Sequence, residues 1–147
     1  MTNSVEQILS DVIQQLNKDG YPCSGRIGED WLLSRVSDAE FPAFLFQIMN
    51  DDINIEDYAQ QVKMRFLLCY ASEDHSNTLD IENFNKLRLL YTKFFDRLKR
   101  YELSGQQLIT IQKATRTPYY FDYKVLEKKT KGFACNLDMK IEATQIC

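Results

Sequence analysis

One stretch limits the fold more than any other, the run from Asp80 to Tyr101. Ile81, Phe84, Leu87, Leu90, Tyr91, Phe94, Phe95, Leu98 and Tyr101 recur at steps of three and four. That spacing places them on one face of a helix. Glu82, Lys86, Arg88, Lys93, Asp96, Arg97, Lys99 and Arg100 fill the opposite face. Thr78 or Asp80 can cap the first turn, Arg97, Lys99 and Arg100 suit the negative end of the dipole, and Ser104-Gly105 can stop the helix. A stripe this wide and aromatic has to lie on a broad apolar surface. The flanking segments supply it as strands.

Val5, Ile8, Leu9, Val12, Ile13 and Leu16 predict a first helix over about 4–19, opened by Ser4 and closed by Gly20. Tyr21 to Gly28 reads as a loop or irregular extended piece. Glu29 to Val36, with the single Trp31, fits a helical turn or a short strand equally well. Strands are expected over about 42–49 and 58–71. In the first, Phe44, Phe46 and Ile48 alternate with Ala43, Leu45 and Gln47; in the second, Val62, Met64, Phe66, Leu68 and Tyr70 share a face. Asn50-Asp51-Asp52 reads as the polar turn after the first. After the long helix (about 80–102), strands are expected over about 107–112, 119–126 and 133–142, with Thr115 to Pro118 as a break. The last two form a hairpin whose tip, Glu127 to Gly132, carries Lys128, Lys129 and Lys131. In the last strand Phe133, Cys135, Leu137, Met139 and Ile141 alternate with polar partners. The order implies one α+β domain over 1–147: a mainly antiparallel sheet with an N-terminal helix and a long central helix on one face.

Motif chemistry is sparse. The four cysteines form no C-x-x-C pair and His75 is the only histidine, so a zinc site is not expected, nor is any cofactor. Asp51, Asp52, Glu56 and Asp57 form an acidic cluster without the ligand order or mid-loop glycine of a calcium loop, which favours a solvated loop. Asp74-His75 has no nucleophile in a recognisable context. A lone Gly25-x-x-Gly28 is too weak for a phosphate clamp. No apolar run approaches the roughly 20 residues that span a bilayer. The N-terminus lacks a basic start with an apolar stretch, so a cytoplasmic site of synthesis is expected.

Charge is unevenly placed. Residues 1–80 hold 5 Lys+Arg against 14 Asp+Glu, and residues 81–147 hold 13 against 7, although the chain nets only −3. Two solvated faces of one fold would explain this. So would a subunit with an acidic and a basic face suited to head-to-tail association. Tyr119, Tyr120, Phe121 and Tyr123 crowd four rings into five positions, so at least one ring must leave the core. Tyr119, Tyr120 and Tyr123, with the three lysines and the acidic Asp51, Asp52, Glu56 and Asp57, are therefore candidates for protein contact, with nucleic-acid stacking as the rival use of the rings.

The layout resembles the subunits of tailed-phage neck and tail-terminator rings. The likeness rests on the N-terminal helix, the strand opening Phe41-Pro42-Ala43-Phe44-Leu45, the strand Val62 to Leu68, the helix Ile81–Tyr101 and the closing Phe133 to Ile141 strand. It implies a head–tail connector subunit in the virion, assembled in the bacterial host cytoplasm and without an active site. Its partners would be copies of itself in a ring and neighbouring portal, neck or tail proteins, with no membrane. The lysine-bearing tip would reach an adjacent ring or DNA passing through the lumen. The alternative is a small cytoplasmic adaptor, or an enzyme domain of α+β type with a ligand pocket near Cys69, Asp74 and His75.

Overall fold

A computed structural model of the chain describes residues 4–28, 42–56, 59–71, 81–104, 107–125 and 128–143. Helix α1 spans Val5–Lys18. Its cap follows from sequence: the Ser4 hydroxyl accepts the Gln7 amide at 3.1 Å. Val5, Ile8, Leu9, Val12 and Leu16 form its buried face. Gly20, at φ 90°, lets the chain reverse, and the Tyr21 amide donates to the Leu16 carbonyl at 2.9 Å. The Asn17 side chain then ties the helix end to the next segment: it donates to the Cys23 carbonyl at 2.8 Å and accepts the Cys23 amide at 3.1 Å.

That tie aims the chain into strand β1, Ser24–Ile27, which pairs in parallel with β2, Ala43–Ile53. Within the loop or irregular extended piece expected at 21–28, Ser24–Ile27 form a regular edge strand. Four residues with a glycine carry too little pattern to reveal it, and Gly25 stands where α1 comes close: a Cβ there would lie 2.9 Å from Ile13 Cγ1. Strand β3, Gln60–Ala71, pairs antiparallel with β2 from Ala43↔Cys69 out to Ile53↔Gln60. Helix α2, Ile81–Ser104, follows, then β4, Gln107–Val125, and β5, Lys128–Ala143. The sheet order is β1-β2-β3-β5-β4, and every pairing except β1–β2 is antiparallel. The α+β class is as expected.

Both helices cover one sheet face. Phe84, Leu87, Leu90, Phe94 and Leu98 of α2 join the α1 stripe, Phe44 and Phe46 of β2, the Val62 to Tyr70 set of β3 and the Phe133 to Ile141 set of β5 in one core. Phe94 is its hub, with ring centroids 5.1, 5.6 and 5.5 Å from those of Phe44, Phe46 and Phe66. Ile81, assigned to the buried stripe by spacing, is instead 59% exposed, because it lies at the first helical position, before the helix is over the sheet. The other sheet face holds a smaller cluster of Ala43, Leu45, Cys69 and Tyr119.

Two further expectations are corrected. First, Thr115 to Pro118 does not break a strand. β4 runs through it, Arg116 pairing with Cys135 and Pro118 with Phe133. β4 is the sheet's outer strand, where a residue lacking an N–H is tolerated. Second, Asp51 and Asp52 are not a turn. They pair with Val62 and Gln61 in a hairpin whose turn lies beyond Ile53, where Glu56 N donates to Asn54 Oδ1 at 2.9 Å. Successive β2 residues from Met49 to Ile53 are all exposed, so polarity there does not mark the strand's end. Thr78, Asp80, Gly105 and the Glu29–Val36 segment with Trp31 lie outside the described residues.

Gly132, expected in a turn, is inside β5, paired with Cys69 of β3. A Cβ there would stand 2.1 Å from the Leu68 carbonyl oxygen and 2.8 Å from the Cys69 Cα, both backbone atoms in a paired strand. Two stability changes are therefore expected in urea unfolding. Phe94→Ala should cost about 3–5 kcal/mol, and a wild-type midpoint would remove α2 from the centre of the core. Gly132→Ala should cost about 1–3 kcal/mol, and an unchanged midpoint would show that β3 and β5 part easily at this point.

Candidate functional site

The residues most open to partners gather at the two ends of the sheet. At one end the β2–β3 hairpin carries exposed Asp51, Asp52 and Glu56. Ile53 and Ile55 lie among them, 60% and 82% exposed. Asp57 lies outside the described residues. The isoleucines were legible in the sequence but pass as ordinary strand residues until the hairpin is seen to outrun the core.

At the other end lies the β4–β5 hairpin. Its register sets Lys124 directly across from Lys129 and Val125 across from Lys128. Lys129 is exposed, whereas Lys131 is 5% exposed and corrects its expected place on the tip. It lies inside β5, opposite Tyr70, on the helix-covered side shared with Phe133. Tyr119 is also corrected. It is 7% exposed in the smaller cluster, and its hydroxyl lies 3.3 Å from Thr130 Oγ1. Tyr120 does leave the core. It is 49% exposed, with its ring centroid 4.9 Å from that of Phe84. Of Tyr123 and Lys128 only the strand positions are described.

Between these ends, α2 and β4 bring together two residues that sequence reasoning did not connect. The Arg88 guanidinium lies 4.9 Å from the centroid of the Phe133 ring. The Arg116 guanidinium lies 5.2 Å from the same centroid and 4.6 Å from that of Tyr91. The two side chains converge because β4 slips register between Ile111 and Lys113, which turns Arg116 toward the helix-covered side. Both guanidiniums thus lie within cation–π reach of aromatic rings. No sequence spacing signals a pair 28 positions apart.

A shallow groove of about 240 Å³ runs between Asp19, Tyr21, Lys93, Asp96, Arg97 and Arg100. Its charges are largely matched internally: Arg97 forms an ion pair with Asp19, and Lys93 Nζ sits 5.4 Å from the Tyr21 ring centroid. Hydrogen bonding from Gln15, with Arg97 beside it, holds the Asp19 carboxyl below its ordinary pKa. Among the described residues no three of His, Cys, Asp and Glu gather as a metal site. No described helix is long and apolar enough to cross a membrane. Asp74 and His75 lie outside the described residues.

Among the described residues, the thiols Cys23, Cys69 and Cys135 carry no sign of activation. Burial pushes Cys69 and Cys135 up to about 12 and Cys23 up to about 11. Mass-spectrometric mapping of iodoacetamide labelling at pH 8 should find Cys69 and Cys135 protected until the protein is unfolded. Rapid labelling of either in the native state would contradict this burial. No protein-family model matches the chain, and no curated protein matches it either.

Proposed function

We propose that this chain is a structural subunit that joins copies of itself head to tail into a closed ring. The type is that of tailed-phage neck and tail-terminator rings, in which the ring also meets neighbouring portal, neck or tail proteins. The observation that carries this reading is the placement of unlike charge at opposite ends of one rigid sheet. The acidic, isoleucine-bearing β2–β3 tip projects from one end and the lysine-bearing β4–β5 hairpin from the other. The 12 residues of β3 separate them by about 40 Å. One surface that complements a different surface of the same molecule generates heterologous contacts, which close into rings when the rotation permits.

One further feature supports it. The sheet ends in a 19-residue outer strand, β4, whose register slips and proline guard against indiscriminate pairing with other strands. Placement in the virion follows from the ring reading and stands with it.

Light scattering of the purified protein, alone and with the products of neighbouring genes, tests the proposal. A discrete high-mass species that dissociates as salt is raised is expected, since exposed charge pairs are screened within about 8 Å at physiological ionic strength. A strict monomer that joins none of those products would contradict it and favour an adaptor or enzyme.

A further inference from the structure

The ring reading leaves open which surface receives the acidic tip, and the geometry points to one: we infer that Asp51, Asp52 and Glu56 of one copy dock on Arg88 and Arg116 of the next, with the tip isoleucines against Tyr120. This rests on the proposed self-association and specifies its contact.

The receiving surface is preformed. Arg88 and Arg116 come from different elements yet cover the same ring, Phe133, so two like charges are held close together. Among the described residues neither guanidinium has a carboxylate within 4.0 Å, whereas Arg97, on the same helix, has Asp19. Two cations beside one aromatic ring suit incoming carboxylates. Tyr120, half-exposed against Phe84, which itself meets Phe133, adds an apolar body with a polar tip.

The occupant follows from complementarity and reach. The tip offers carboxylates for the two cations and exposed isoleucines for the ring. It cannot fold back on its own molecule. Ile53 pairs with Gln60, and Arg116 is in register with Cys135 and Phe66, so the two places are about 20 Å apart along the strands and about 14 Å apart across them. A tip that meets such a pair must therefore come from another copy.

The test uses two charge-reversed full-length proteins, Asp51→Lys/Asp52→Lys and Arg88→Glu/Arg116→Glu, with circular dichroism to establish that each folds. Each alone should self-associate about tenfold more weakly or worse. An equimolar mixture should recover assembly, because each variant's altered surface complements the other's. The tip variant, on an exposed hairpin, keeps the test decisive if the arginine variant fails to fold. Wild-type assembly by the tip variant would overturn the inference, as would two impaired variants that stay apart when mixed. A wild-type protein that remains monomeric overturns the ring reading and this contact together. A wild-type protein that assembles alongside equally competent variants removes only the contact.

Discussion

The structure depends on one contact, the seating of the α2 aromatic stripe on the paired faces of β2, β3 and β5. Phe94 sits fully buried against Phe44, Phe46 and Phe66, and Phe84 meets Phe133 edge-on at 5.8 Å. Burying several large rings on one side gives the sheet a single orientation, and a smaller cluster of Ala43, Leu45, Cys69 and Tyr119 lies on its other side. The rigid platform then has consequences beyond stability. Its two hairpins lie at opposite ends, and the α2–β4 surface lies between them.

These surfaces differ in kind. The β2–β3 arm combines Asp51, Asp52 and Glu56 with Ile53 and Ile55, while the α2–β4 surface combines Arg88 and Arg116 with Tyr91 and Tyr120. In the proposed contact the charges would steer the encounter, and the isoleucines and tyrosine would supply apolar area. The acidic hairpin belongs to the first half of the chain and the arginine pair to the second.

Much of the architecture was legible in the sequence, and the exceptions have common physical causes. α1, α2, β3 and β5 each bury one face, so their apolar periods mark them. β1 has only four residues and borrows its stability from β2, and no local pattern announces a parallel edge. β4 passes through Pro118 because an outer strand does not need every N–H. Asp51 and Asp52 lie where successive β2 residues are all exposed, and Gly132 lies where β3 comes too close for a side chain. The acidic residues and Tyr120 were legible as surface chemistry. The Arg88–Arg116 pair was not, since it is made by a register slip in β4 and by tertiary contact alone.

The most direct measurement is a photo-crosslink from a benzoyl-phenylalanine placed at Ile55, mapped by mass spectrometry on the assembled protein. Head-to-tail association predicts that the probe captures peptides from 81–91 and 112–120 of a different copy. Crosslinks confined to the tip of another copy would instead mean a two-fold contact between like surfaces, and would contradict a ring built on unlike ends.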